Sequence, residues 1–236
     1  MGVEKYLAKS ALSKLGLLPH FLKLRRFAEP ESIPVQMMKF PTYSLDTNKS
    51  LASMIDYFRY ATVALAIQRI ITENISGCFA EAGVYQGYTS RFIHLLAPER
   101  LYYLFDTFEG FPQQDLGADR CDNRFKQTSV AEVLRYIGDA SNIVVKKGYI
   151  PNTFKGLENE CFAFALLDLD LYIPTIKSLE FFYPRLPQGG YLMIHDYNNP
   201  ESNWGCKRAV DEFMSGKLES IMEIADEYGT VMFRKI

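Results

Sequence analysis

The stretch Phe162-Ala-Phe-Ala-Leu-Leu-Asp168-Leu-Asp170 decides the fold. Apolar residues run unbroken from Phe162 to Leu167 and stop on an acid. A strand with one solvated face alternates apolar and polar residues. A strand without that alternation is covered on both faces, the condition of a parallel sheet between two helical layers. Tyr191-Leu-Met-Ile-His195-Asp196 repeats the pattern. Working outward, Cys78–Ala82 ending at Gly83, Leu101–Phe105 ending at Asp106, and Ile143–Lys146 bring the count to five strands. Helical stretches separate them: Thr89–Leu96, stopped by Pro98; a helix opened by the Ser129/Glu132 capping box and running through Tyr136; one from Pro174 through Tyr183; and Arg208–Met214. Ile221–Ile224 and Thr230–Ile236 flank a turn at Gly229 with no room for a crossover helix, so they form an antiparallel hairpin. The expected fold is α/β: a doubly wound, Rossmann-like sheet, mostly parallel, of seven strands, with that hairpin at its C-terminal end.

Upstream, Asp46, Thr47 and Asn48 are candidate N-caps of a long helix that ends near Asn74 or Gly77. Leu51, Met54, Ile55, Phe58, Ala61 and Leu65 mark its expected inner face. Residues 28–44, with three prolines, read as a linker. Residues 1–26 carry a charge of +5 and the rest of the chain −7. Leu7, Ala11, Leu15 and Leu18 recur there at helical spacing among lysines. The segment reads as an arm packed on its own domain or on a second subunit, with peripheral membrane contact as the alternative. Residues 45–236 then form the catalytic domain.

Composition excludes several classes. With 48% apolar and 23% charged residues the chain is globular rather than disordered. A net charge of −2 gives no general attraction to nucleic acid. Cys78, Cys121, Cys161 and Cys206 form no C-x-x-C pair, which speaks against a zinc ribbon or dithiol centre and for reduced thiols in the cytoplasm. No apolar run approaches the ~18 residues of a membrane span. Lys5, Lys9 and Lys14 interrupt any signal-peptide core, and Tyr6 stands where myristoylation requires Ser or Thr.

In a doubly wound sheet, ligands bind beyond the carboxyl ends of the strands. Those ends read Glu81-Ala-Gly83, Asp106, Lys147-Gly148, Asp168-Leu-Asp170 and His195-Asp196, so acids recur along one edge. The first continues as Glu81-Ala-Gly83-Val-Tyr-Gln-Gly87-Tyr-Thr89-Ser90. It lacks the third glycine of a dinucleotide fingerprint, and its acid suits an ammonium better than a diphosphate, which disfavours a nicotinamide oxidoreductase. The Thr89 and Ser90 hydroxyls and the free amides of a helix N-terminus suit a carboxylate. A ligand with both groups is an amino acid, and S-adenosylmethionine (SAM) carries both. Asp106, 25 residues after Glu81, is placed for ribose hydroxyls. The glycines also fit a turn that needs positive φ or close packing and nothing more. Asp168, His195 and Asp196, on neighbouring strand ends, have the ligand types for a divalent cation such as Mg²⁺ or Mn²⁺. Asp168-Leu-Asp-Leu replaces the D/N-P-P-Y/F run of amine methyltransferases.

The chain resembles the macrocin O-methyltransferase family, SAM-dependent enzymes that methylate hydroxyls of deoxysugars on antibiotics and other glycans. The resemblance covers roughly residues 45–215. It is carried by Phe79-Ala-Glu-Ala-Gly-Val-Tyr-Gln-Gly87, Asp106-Thr-Phe-Glu-Gly-Phe-Pro112, Lys147-Gly-Tyr149 with Pro151-Asn-Thr153, Leu167-Asp-Leu-Asp-Leu-Tyr172, Tyr183-Pro-Arg-Leu186, Gly189-Gly-Tyr-Leu-Met-Ile-His-Asp-Tyr197 and Cys206-Lys-Arg-Ala-Val210. It implies a class I methyltransferase in which Glu81, Gly83, Tyr85, Gly87, Thr89, Ser90, Asp106, Thr107 and Asp168 hold SAM and the Lys147-Gly148-Tyr149 turn borders the adenine. It further implies Asp168 and Asp196 as metal ligands and Asp170 as general base. The family has two consecutive aspartates where this chain has His195-Asp196, so His195 is either a third ligand or itself the base. The implied reaction methylates a sugar hydroxyl on a small molecule or glycan, with a catechol-like phenol as the alternative acceptor. The implied enzyme is a homo-oligomer.

Overall fold

The computed structural model describes residues 43, 44, 47, 49, 54, 56–116 and 121–236. The arm, most of the linker and the candidate caps Asp46 and Asn48 lie outside them. Thr47 is helical rather than a cap, and the main first helix α1 (Tyr57–Thr72) starts afresh at Asp56, whose carboxylate accepts the Arg59 amide. Then follow β1 (Cys78–Ala82), α2 (Tyr88–Leu96), β2 (Tyr102–Asp106), a single turn α3 (Gln113–Leu116), α4 (Val130–Ile137) and β3 (Ile143–Lys147). The chain continues through β4 (Phe162–Leu167), α5 (Tyr172–Phe182), β5 (Tyr191–Ile194), α6 (Gly205–Met214), β6 (Met222–Ile224) and β7 (Thr230–Arg234).

The seven strands form one sheet in the order β3-β2-β1-β4-β5-β7-β6. The first five are mutually parallel, and β7 runs antiparallel to both β5 and β6. Chain order reverses between β1 and β4, so the cleft opens there. Backbone pairing continues one residue beyond the strand ends: Gly83 N–H to Phe105 O (2.9 Å), Asp168 N–H to Ala82 O (2.8 Å), His195 N–H to Leu167 O (2.8 Å) and Gly148 N–H to Asp106 O (2.9 Å). These bonds place the strand-end residues side by side on one edge.

Two cores cover the sheet. On one face α1, α2 and α4 pack over Phe79, Leu104, Phe164 and Leu166. On the other, α5 and α6 pack over Phe105, Leu167, Leu192 and Ile194, with Phe154, Phe162 and Phe182 interlocking edge to face. Capping follows the sequence in α4, where Ser129 accepts the Glu132 amide and donates to its carboxylate. The inner face of α1 differs from expectation. Tyr60, Val63, Ala64, Ile67 and Ile70 are buried, whereas Phe58 and Leu65 are 52% and 44% exposed. Two residues of offset turn a helix by about 200°, so Phe58 and Leu65 lie nearly opposite the buried stripe, while Met54 and Ala61 of the expected face do pack, partly buried, against the core, and Leu51 and Ile55 lie outside the described residues. Both stripes are apolar, and only packing chooses between them.

Candidate active site

A cavity of about 250 Å³ opens at the carboxyl ends of β1, β2 and β4. Its floor is the first strand end. Glu81 is buried, and its Oε2 accepts hydrogen bonds from the Ser90 (2.6 Å) and Tyr102 (2.5 Å) hydroxyls. Oε1 has no hydrogen-bond partner among the described residues. Burial pushes the Glu81 carboxyl up to about 8, against the lowering effect of those two hydroxyls. Gly83 follows with φ +90°, and a Cβ there would stand 1.8 Å from the Asp168 carbonyl oxygen. Only glycine allows β1 and β4 to close at this point. Gly87 caps α2 at φ +80°, against the Val133 side chain.

Folded pKa above unfolded pKa means that Glu81 holds its proton in the native state after the unfolded chain has released its own. The contribution is complete below the unfolded value of 4.5 and is lost as pH rises through about 8. The cofactor-free protein will therefore lose ~3–5 kcal/mol of stability over that span through this group, at 1.36 kcal/mol per unit. Glu81→Gln will flatten the decline. Thermal unfolding from pH 5 to 9 checks it, and equal slopes in the two proteins would refute it.

Asp106 also lines the cavity, but its carboxylate is already engaged. Oδ2 accepts the Val84 (2.7 Å) and Tyr85 (2.9 Å) amides, and Oδ1 accepts that of Phe108 (2.7 Å). Asp106 thus shapes the glycine turn as well as facing the ligand space. Thr107 builds the next turn through the Gly110 carbonyl (2.8 Å). The far end is mostly aromatic: Phe111, Phe125, Tyr85 and Tyr149 join the aliphatic Ile150 and Gly148. The Tyr149 hydroxyl donates to Asp115 (2.8 Å). Arg124 braces this wall from outside. It lies over the Phe111 and Phe125 rings, grips Asp122, and reaches Glu201 of the β5–α6 loop at 2.9 Å.

Beyond Gly83 the cavity meets the acid cluster. Asp168 and Asp170 line it, and His195 and Asp196 stand behind Asp168. His195 Nδ1 lies 3.4 Å from Asp168 Oδ1 and 3.2 Å from Asp196 Oδ2, yet it is buried without a hydrogen bond. Burial raises the Asp168 carboxyl, but the charges of His195 and Arg59 outweigh it and hold it well below the usual carboxylate range. Burial pushes His195 down, but the carboxylates of Asp168 and Asp196 overcome it and carry it up to about 10. Asp170 is held at φ 58° and accepts the Ser202 hydroxyl (3.1 Å). Burial and the charges of Asp196 and Asp168 push its carboxyl up to about 7.

Most of the expected site residues converge on this cavity: Glu81, Gly83, Tyr85, Thr89, Asp106, Thr107, Gly148, Tyr149, Asp168 and Asp170 all line it. Five do not line it: Gly87, which caps α2, His195 and Asp196, which pair with each other and, through His195, with Asp168, and Ser90 and Lys147. Ser90 is buried beneath α2, its hydroxyl spent on Glu81, because it sits one helical step past Thr89 and faces the sheet. Lys147 points outward to Glu109 (3.1 Å). Sequence reading missed Arg59, Tyr60 and Asp115 on the wall, and Ser202 and Asn199, which brace Asp170 and Asp196. Asp56 and Arg59 carried a signal in their capping spacing, but the misread face of α1 concealed it.

One oxygen each of Asp168 and Asp196 and one nitrogen of His195 lie within 4.8 Å of one another. Two carboxylates and an imidazole whose buried nitrogen lacks a partner fit a divalent cation, whose binding would displace the imidazole proton. His195 also shares a second such grouping with Asp56 and Asp226.

The sheet order, the antiparallel last strands and an acid-floored cleft at the switch point define a class I SAM-dependent methyltransferase. Solved structures share this fold: the O-methyltransferase NovP (TM-score 0.65, 24% identity, 78% of this chain and 81% of that one) and CalS11, Calicheamicin Methyltransferase (TM-score 0.60, 19% identity, 84% and 94%). Residues 35–235 match the family described as Macrocin-O-methyltransferase (TylF), and the chain belongs to that family. It is 26% identical over 198 residues to demethyldecarbamoylnovobiocin O-methyltransferase of Streptomyces niveus, covering 76% of this chain and 72% of the relative. It is 25% identical over 191 residues to 8-demethyl-8-(2,3-dimethoxy-alpha-L-rhamnosyl)-tetracenomycin-C 4'-O-methyltransferase of Streptomyces olivaceus, covering 73% and 72%. The chain is an S-adenosylmethionine-dependent O-methyltransferase. Among the described residues no helix is long and apolar enough to cross a membrane.

Proposed function

We propose that the enzyme methylates a hydroxyl of a sugar, free or attached to a small molecule or glycan. The observation that carries this is the backbone contact at Gly83, which sets the cofactor cleft directly against the acid cluster. The rhamnosyl group in the name of the Streptomyces olivaceus relative supports a sugar as the acceptor. The cavity fits SAM. Its acid floor suits the ammonium, its aromatic end the adenine, and the remaining lone pairs of Asp106 the ribose hydroxyls.

When bound, SAM supplies an electrophilic methyl group on a sulfonium. Asp170 accepts the proton that the acceptor hydroxyl gives up as it becomes an ether, and the raised proton affinity of this buried carboxyl makes it an effective base near neutral pH. Ser202 holds Asp170 in place, and Asn199 does the same for Asp196. Asp168, His195 and Asp196 would hold a divalent cation, whose chemistry is to make a neighbouring hydroxyl more acidic. The apolar walls exclude water and align the reactants. Within residues 1–44, residues 1–26 serve as a basic arm for association and the rest as its linker, residues 45–236 are the methyltransferase domain, and the protein works in the cytoplasm.

Incubation with labelled SAM and a panel of nucleotide sugars, glycosides and catechols tests the reading. Label should enter the sugars, and exhaustive chelation should suppress it. Transfer to catechols alone would overturn the sugar assignment, and full activity after chelation would overturn the metal.

A further inference from the structure

SAM carries a carboxylate, yet the cavity is lined by five acids: Glu81, Asp106, Asp115, Asp168 and Asp170. Glu81 and Asp170 hold their protons more tightly than free carboxyls, but an anion placed there still faces the charge of Asp168 and the carboxylate of Asp106 and needs a cation beside it. Among the described residues Arg59 is the one cationic side chain on the wall. It is mostly buried, with 16% of its side chain exposed, so its charge acts through a poorly screened medium. Part of its hydrogen-bonding capacity is unspent. Nη1 donates to Asp168 Oδ2 at 3.3 Å, Nε pairs with Asp56 Oδ2 at 3.3 Å without forming a hydrogen bond, and Nη2 makes none among the described residues. The next residue on α1, Tyr60, lies beneath the guanidinium at 5.2 Å, and its hydroxyl meets that of Thr89, in the first turn of α2, at 2.9 Å. A guanidinium whose Nη2 is free of hydrogen bonds among the described residues, two hydroxyls and the N-terminus of α2 therefore converge beside the acid floor. Planar forked donors of this kind match a carboxylate.

We propose that Arg59 seats the α-carboxylate of S-adenosylmethionine, with the Tyr60–Thr89 hydroxyl pair completing the seat. The proposal rests on the SAM assignment above and goes beyond it by fixing the direction in which the amino-acid end lies. The carboxylate points to α1 and the ammonium to Glu81. The seat is also joined to the acid cluster, since the same guanidinium touches Asp168.

The test is calorimetric titration, with chelator present, of the wild type, Arg59→Gln and Arg59→Lys with S-adenosylhomocysteine and with its decarboxylated analogue. The wild type should prefer the carboxylated ligand by ~10–100-fold, the scale of hydrogen bonds to a charged group. Arg59→Gln should reduce that preference to about threefold or less, and Arg59→Lys should keep part of it. An undiminished preference in Arg59→Gln, or an equal loss for both ligands, would show that Arg59 acts only through Asp168 and would overturn the proposal. If Arg59→Gln does not fold, the preference in Arg59→Lys and Thr89→Val decides, and wild-type values in both overturn it. A wild type that binds neither ligand would instead refute the cofactor assignment.

Discussion

Asp170→Asn will lower turnover by ~10²–10⁴-fold, the range for loss of a positioned general base, and leave S-adenosylhomocysteine affinity within about threefold. The substitution is a clean one. Asp170 occupies the left-handed region at φ 58°, which asparagine tolerates as well as aspartate, and the amide oxygen can still accept the Ser202 hydroxyl. What disappears is a buried carboxyl that takes up a proton near neutral pH. Steady-state kinetics with calorimetry separate the two effects. Turnover at the wild-type level would remove Asp170 from the chemistry.

Gly83→Ala will cost about 4 kcal/mol or more, the range reserved for severe steric or backbone conflicts. Two terms combine. An L-residue at φ +90° pays ~1–2 kcal/mol for its backbone alone. The added Cβ also meets the carbonyl of Asp168, the residue just past β4, whose amide is itself tied to the Ala82 carbonyl across the strand pair. Gly156→Ala isolates the first term. Its φ is +85° and nothing lies within 4 Å of the added carbon, so only the backbone cost applies. Urea denaturation of the two variants compares them, and equal losses would show that close approach is not what holds glycine at position 83.

The strands were legible in the sequence because a parallel strand buried on both faces is an unbroken apolar run, and each such run here stops where the cleft begins. β1, β4 and β5 match to the residue. The hairpin was legible because the segment at Gly229 is too short for any other connection. What periodicity could not decide was the orientation of α1, where Phe58 and Leu65 offer as apolar a stripe as Tyr60 and Ile67. Ser90 and Lys147 show a second limit. Both stand in the right motif, but one step along a helix or strand turns a side chain away from the ligand. Arg59 shows a third, since it meets Asp168 across 109 residues of chain, a pairing that no local spacing announces.

The Arg124 clasp bears on how this enzyme could be re-engineered. One guanidinium covers two phenylalanines of the β2–α4 loop and binds a glutamate of the β5–α6 loop, so the aromatic end of the cleft and the loop that carries Asn199 and Ser202 are mechanically one part. Transplanting either loop alone from a relative would leave Arg124 or Glu201 facing an unmatched surface. A graft that keeps the clasp must carry both loops together and must retain Asn199 and Ser202, which brace Asp196 and Asp170.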